Sequence, residues 1–337
     1  MRQLSVVIPC RNEVAYLEEC IRAIYDAELP ENVAMKVFLV DGMSDDGTRK
    51  VILDLQKEFE TLELIDNPKQ LTPYAFNLGI YAGGTADFVQ IIGARHIISK
   101  NYLSRAMEIL EQDPSVWCVG GQIINEFTSY KSKVIATAMS TSFGMGIGNF
   151  RTLDRSGFTD TVTSPMYPYF VFEKIGFFDE ELVRNQDDDF NFRVSKAGGK
   201  IYYCHEISLK YYVRGTFKGL WRQFFQYGYW KVYVNQKHKT LTTLRQVIPS
   251  LFVTYLTVLF PAMLILPMWL AALPLFAYLT LCLFVSFKNS KEGLKTQDLV
   301  AVFPILHLSY GLGYINGLVD FLLLRKKPSV KQKRLSR

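Results

Sequence analysis

Leu4-Ser5-Val6-Val7-Ile8-Pro9-Cys10-Arg11-Asn12-Glu13 opens as a short apolar run and closes in a proline followed by polar residues. A run of this length without alternation is the pattern of a strand covered on both faces. Val14, Leu17, Ile21 and Ile24 then recur at helical spacing, so a buried strand passes through a polar turn into an amphipathic helix. The unit repeats. Val37–Val40 predicts a second strand, with Val51, Ile52, Leu55 and Phe59 marking a second helix, and Leu62–Ile65 predicts a third strand. Thr72-Pro73 reads as a cap with proline at the first helical position, continued by Ala75, Phe76, Leu78 and Ile80. Phe88–Ile92 predicts a fourth strand, Ser99 caps a helix through Leu103, Ala106 and Leu110, and Val116–Val119 predicts a fifth strand. Strands alternating with helices in this way predict an α/β fold with a doubly wound, mostly parallel sheet, whose ligands sit at the carboxyl ends of the strands.

The rest of the composition has a different origin. Of the 337 residues 49% are hydrophobic and 14% aromatic, and the excess is local: Gln246 to Phe287 is a run of 42 positions without a charge. As helix that is roughly 63 Å, or about two crossings of a 30 Å hydrocarbon layer. The expected spans are Val247–Pro267 and Met268–Phe287, turning near Pro267. A third apolar segment, Leu299–Leu324, is interrupted by Pro304, Gly311, Gly313 and Gly317 and contains His307 and Asp320. Between Phe217 and Val234 eight aromatic residues interleave with Lys218, Arg222 and Lys231, a composition suited to the headgroup layer. The net charge of +6 resides in the tail, where Arg325–Arg337 holds seven Lys or Arg and no acid. That distribution argues against a nucleic-acid partner and for anionic membrane lipids. Three full crossings would export this tail, against the positive-inside tendency, so the third segment is expected to be re-entrant or interfacial and the tail cytosolic. Five cysteines, odd in number and without close pairing, predict reduced thiols, and Leu4–Pro9 is too short for a secretory signal.

Two polar stretches carry candidate chemistry. Asn185-Gln186-Asp187-Asp188-Asp189-Phe190-Asn191-Phe192-Arg193 sets three consecutive carboxylates before an apolar element. Their repulsion, about 1 kcal/mol per close exposed pair, is relieved by an exposed helix start or serves a general base with a neighbouring acid. Asp41-Gly42-Met43-Ser44-Asp45-Asp46-Gly47-Thr48 follows the second strand, so Asp41 is able to accept from a nucleobase or ribose, while a plain Asp-Gly turn explains Asp45–Thr48 equally well. A dehydrogenase would need Gly-x-Gly-x-x-Gly after the first strand, which this chain lacks, and the glycine-rich Thr141–Phe150 lacks the Gly-Lys-Ser/Thr of a phosphate loop.

Taken in order, Ser5–Glu13, Val40–Thr48, Ala75-Phe-Asn-Leu-Gly79 and Gln186–Arg193 resemble the inverting family 2 glycosyltransferases of the GT-A fold. Asp160-Thr161-Val162, Phe177–Leu182, Lys196–Gly199 and Gln226-Tyr-Gly-Tyr-Trp230 extend the resemblance to membrane-anchored bacterial exopolysaccharide enzymes of the succinoglycan type. It covers about residues 4–240. The resemblance implies a catalytic domain over residues 1–240, made of a nucleotide-binding half (about 1–120), an acceptor and base half (121–216) and an interfacial aromatic element (217–240). A membrane region over 247–324 and the tail 325–337 follow. It further implies that Asp41 holds the nucleotide of a nucleotide sugar, with Pro9, Arg11, Glu13, Asn77, Gly93 and Arg95 at the same donor site. Asp187 takes the position of the catalytic base, with Asp188 and Asp189 beside it. Asp160, Arg193, Gln226 and Trp230 fall on the acceptor or donor side, Trp230 either stacking on a sugar or acting as an interfacial anchor.

One position departs from the family. Its members follow the fourth strand with Asp-x-Asp or Asp-x-His, which holds Mg²⁺ or Mn²⁺ against the donor diphosphate; here the strand runs into Gly93-Ala94-Arg95-His96. Three outcomes follow: Arg95 or His96 supplies the positive charge, a metal is held by diphosphate, water, His96 and another acid, or activity is impaired. The expected function is transfer of a sugar, from UDP most readily, to a lipid-linked saccharide at the cytosolic face of a bacterial inner membrane. The alternatives are a non-catalytic membrane scaffold and a nucleotidyltransferase, the latter lacking the glycine-rich basic loop it would need.

Overall fold

In the computed structural model of the chain the described residues are 1–84, 86–146, 150–213, 215–242, 244–291 and 293–327. The last ten residues of the basic tail and part of the glycine-rich stretch 141–150 lie outside them. The chain divides into two units, Met1–Glu126 with Leu153–Tyr212, and Phe127–Thr152 with the chain from Val213 on. The aromatic helix Phe217–His238 belongs to the second unit.

The first unit is an α/β domain on nine strands: β1 (Arg2–Cys10), β2 (Val33–Asp41), β3 (Leu62–Asp66), β4 (Phe88–Ile91), β5 (His96–Ile98), β6 (Val116–Glu126), β7 (Gly157–Thr159), β8 (Thr163–Pro168) and β9 (Lys200–Tyr212). The order is β3-β2-β1-β4-β8-β6-β9-β5, with β7 on β9. β1, β2, β3 and β4 are mutually parallel, as the alternating pattern predicts. β8 then runs antiparallel to both β4 and β6, while β6 and β9 are parallel over a long register. Because β8 is reversed, its first residues lie at the carboxyl end of β4. Val6, Ile8, Val37 and Leu39 are fully buried with Leu17, Cys20, Ile21 and Ile24 of the helix Leu17–Tyr25. Val14, expected in that helical stripe, is 42% exposed, because Glu13–Tyr16 forms a turn and the helix starts only at Leu17. On the helix Thr72–Ala82, a side chain at Gly79 would overlap Val7, so glycine lets the helix lie directly on β1.

The second unit is helical. Ile248–Met263 has 16 residues, about 24 Å of helix, and the following helix is Met268–Asn289. The segment expected to be broken is continuous: Thr296–Gly317 passes directly into a wider turn at Leu318–Leu323. Its glycines do not interrupt it. A Cβ on Gly313 would strike the Phe225 carbonyl and one on Gly317 the Tyr229 carbonyl, while Gly228 meets the Tyr310 carbonyl in the same way. Small residues therefore let this helix and Phe217–His238 pack backbone to backbone. Two helices, Met268–Asn289 and Thr296–Leu323, are long and apolar enough to cross a membrane, with mean hydropathies of 2.2 and 1.4. The first shows most of its surface, including Trp269, Phe276, Phe284 and Phe287. All five cysteines are free and buried.

Candidate active site

The carboxyl ends of β1 and β2 are laced together by the side chains of their loops. Asp41, fully buried at the tip of β2, accepts from the Ser44 backbone N–H at 3.1 and 3.2 Å and from the Ser44 hydroxyl at 2.5 Å. Arg49 bridges Asp41 (3.3 Å) to Asp66 at the tip of β3 (2.6 Å). Asn12 donates to Asp45 at 2.8 Å and accepts from its N–H at 3.1 Å, and the Glu13 N–H donates to the Thr48 hydroxyl at 2.8 Å. Burial works to raise the Asp46 pKa, but hydrogen bonds from Thr48 and the Val14 N–H outweigh it and hold the carboxyl below its ordinary range. Asp46 and Thr48 form an Asx-type turn, and the buried Asp41 carboxylate accepts from Ser44 and Arg49. Burial first, then the Asp41 carboxylate, pushes the neighbouring Cys10 thiol far above its usual range, so it stays protonated. Gly42 makes room for the aliphatic stem of Arg11, whose Cβ lies 3.2 Å from where a glycine Cβ would stand.

β4 ends in the same region. Arg95 Nε donates to Glu13 Oε2 at 2.5 Å, and its guanidinium lies 4.9 Å from the centre of the Tyr16 ring. His96 packs on Gly93, and its Nδ1 is 3.3 Å from the Gly93 N–H and 2.7 Å from the Ser164 hydroxyl at the start of β8. With Nδ1 accepting the Gly93 N–H, that nitrogen is not open to a metal. Gly93 and Ala94 offer no side-chain ligand, and Glu13 is taken by Arg95. Among the described residues no group of three His, Cys, Asp or Glu could hold a metal ion. The donor set at this strand end, a histidine nitrogen already accepting from Gly93 and a carboxylate bonded to the Arg95 guanidinium, does not fit a hard divalent cation.

The three carboxylates open the helix Gln186–Lys196, where the positive end of the helix dipole relieves their repulsion. Their surroundings differ. Asp189 is fully buried and 3.0 Å from Arg193 Nε, and Arg193 donates onward to the carbonyls of Ile175 (2.6 Å) and Phe177 (2.8 Å). This pair therefore builds the loop before Phe178. Asp187 is exposed, with Asp188 partly so. Asn191, one turn beyond Asp187 on the same face, donates to the Thr161 hydroxyl at 3.0 Å and faces Tyr167 at 3.3 Å. The exposed Asp160 is next to that contact, on the loop leading into β8 at the carboxyl end of β4.

Other expected residues have structural contacts. Asn77 is buried and exchanges hydrogen bonds with the Phe178 backbone at 2.9 and 3.0 Å, so its side chain is committed to that loop. Pro9 is the last β1 residue but one. Trp230 is 1% exposed and packs near Phe321, while Tyr229 donates to Asp320 at 2.9 Å and Gln226 is buried on the same helix. That burial is the geometry of a packing residue, not of an open stacking platform. Sequence reasoning missed Ser44, Arg49 and Ser164. Ser44 and Arg49 lie inside or next to the quoted turn, but Ser164 sits on an antiparallel strand without a legible pattern. Asn12, Met43, Ser164 and Asn185 have positive φ (56°, 59°, 43° and 60°), which asparagine adopts readily and Met43 and Ser164 do not.

The glycosyl transferase family 2 description matches residues 5–176. The chain is 27% identical over 320 residues to succinoglycan biosynthesis protein ExoA of Rhizobium meliloti, covering 94% of this chain and 95% of that protein. It is 32% identical over 236 residues to a dolichyl N-acetyl-alpha-D-glucosaminyl phosphate 3-beta-D-2,3-diacetamido-2,3-dideoxy-beta-D-glucuronosyltransferase of Methanococcus voltae, covering 68% and 72%. Among solved structures, a mannosyltransferase of Pyrobaculum calidifontis, in complex with GDP-Man and Mn²⁺, superposes with a TM-score of 0.56 at 16% identity, covering 96% of this chain and 88% of that one. The fold is that of GT-A enzymes, and the chain belongs to glycosyl transferase family 2, as an enzyme of glycan biosynthesis.

Proposed function

We propose that the chain is a membrane-bound inverting glycosyltransferase that moves a sugar from a nucleotide sugar, with UDP as the favoured carrier, onto a lipid-linked saccharide at the cytosolic face of a bacterial inner membrane. The observation that carries this reading is the contrast at the acidic helix start. Asp189 is bonded to Arg193 and fully buried, whereas Asp187, one turn before the Asn191 that reaches Thr161, is exposed. In an inverting transfer Asp187 takes the proton of the acceptor hydroxyl as its oxygen bonds to the anomeric carbon. The bond from that carbon to the diphosphate oxygen breaks on the opposite face, and the nucleoside diphosphate leaves with the electron pair. The loops at Cys10–Glu13 and Asp41–Thr48 are the donor side, and Asp160–Thr161 the acceptor side.

The membrane part of the reading is supported by two helices long enough to cross and by the exposed apolar surface of Met268–Asn289. An anchor of this kind suits an acceptor that itself resides in the bilayer. The test is transfer of labelled sugar from UDP-sugars into a bacterial lipid extract by the full chain. Asp187→Asn is expected to lower transfer about 10²–10⁴-fold with nucleotide binding retained. Near wild-type turnover would remove Asp187 from the role. The alternative, a non-catalytic scaffold, predicts no donor turnover by the wild type.

A further inference from the structure

Resting on the nucleotide-sugar reading, a more specific conclusion concerns the end of β4. Arg95 is held by three features at once: its Nε bond to Glu13, the Tyr16 ring beneath its guanidinium, and partial burial that leaves the Arg95 and Glu13 side chains 25% and 15% exposed. Tyr16 is itself braced by Tyr212, 4.8 Å between ring centres, and the Tyr212 hydroxyl donates to Glu19 at 3.0 Å. Such a guanidinium keeps one orientation. Among the described residues its two terminal nitrogens have no hydrogen-bond partner, and neither does the Arg11 guanidinium, whose stem lies on Gly42. A planar pair of N–H donors matches the oxygens of a phosphate, and charge-assisted bonds of this type are the strong ones. The neighbouring acids have donors of their own, Asp41 from Ser44 and Arg49, Asp45 from Asn12 and Asp46 from Thr48 and the Val14 N–H, so the Arg95 fork is what this cluster offers an anion.

We propose that Arg95, positioned by Glu13, binds the distal phosphate of the leaving nucleoside diphosphate, and that this site takes the diphosphate without a divalent cation. The phosphate gains negative charge as the anomeric C–O bond breaks, and preorganised donors aimed at that oxygen stabilise it.

The test is calorimetric binding of UDP and UMP to the full chain in detergent, in EDTA and in excess Mn²⁺. Wild type is expected to prefer UDP over UMP on the order of 10–100-fold in EDTA. Mn²⁺ is expected to change that preference by less than about threefold. Arg95→Ala should erase the preference while UMP still binds, which also shows the variant is folded. Arg95→Lys, keeping the charge without the fork, and Glu13→Gln, loosening the fork, should each retain part of it. UDP binding that needs Mn²⁺ and vanishes in EDTA overturns the proposal and leaves the nucleotide-sugar reading standing, as does an unchanged preference in Arg95→Ala. If neither uridine nor guanosine nucleotides bind the wild type, the nucleotide-sugar reading falls and this proposal with it.

Discussion

Asp187 and Asp189 are two positions apart in one helical turn and differ in everything but chemistry. Asp189 is desolvated and bonded to Arg193, which in turn ties down the carbonyls of residues 175–177. Removing one partner of a buried ion pair leaves the other charge uncompensated, at a cost of about 3–5 kcal/mol. Asp189→Asn should therefore lower the thermal midpoint of the full chain clearly, whereas Asp187→Asn should leave it near wild type and remove transfer instead. Equal midpoints for the two variants would mean that the burial contrast has no energetic content. The run of acids was legible as a site because three adjacent carboxylates need a reason. Which of them is structural was not legible, since that depends on Arg193 reaching a loop some seventeen residues back in the chain.

Among the elements, the helix Thr296–Gly317 departs furthest from its sequence. Pro304 and three glycines read as interruptions, yet the helix runs on, and its glycines are where other backbone approaches. The sign of a mutation separates the two readings. Glycine to alanine within an exposed helix gains about 1 kcal/mol from propensity. At Gly313 the added methyl would meet the Phe225 carbonyl, and overpacking costs about 1–3 kcal/mol. Gly313→Ala is expected to lower the melting temperature in detergent, and a rise would show that the helix pair is not tightly packed. The same contact explains the Gln226–Trp230 element. Tyr229 donates to Asp320, so the acid within the apolar segment has a protein partner, and Trp230 is buried beside it. His307 is likewise held at both ring nitrogens, by Tyr278 at 3.0 Å and the Phe143 carbonyl at 2.8 Å.

At the scale of the whole molecule, the two helices long and apolar enough to cross a membrane are not the pair that the charge-free run suggests. Ile248–Met263, about 24 Å long and carrying Pro261, falls short of a 30 Å layer, while Met268–Asn289 and Thr296–Leu323 reach about 33 and 42 Å. Under the proposed function, two crossings by the latter pair would return the basic tail to the cytosolic side, where each basic residue near the surface gains about 1 kcal/mol from anionic lipid. A cysteine at Ser336, outside the described residues, should be shielded from an impermeant thiol reagent in intact cells and labelled after permeabilisation. The five native thiols are buried and give little background. Labelling in intact cells would require an odd number of crossings.

The sequence by itself determined the parallel half of the sheet, the two strand-end loops and the acidic helix start. Each is written in local terms: an unbroken apolar run, a helical period, a turn residue, a cluster of like charge. Only the tertiary structure decided the antiparallel half, because β7, β8 and β9 are defined by the strands they pair with and not by their own periodicity. It also decided which polar side chains are scaffolding. Asn77, Asp189, Arg193 and Trp230 fit a family pattern, and only the fold shows them buried or partly buried and held by Phe178, by each other, by the 175–177 carbonyls and by Phe321. The exposed Asp187 and the fixed Arg95 acquire their meaning by the same route, through what surrounds them once the loops converge.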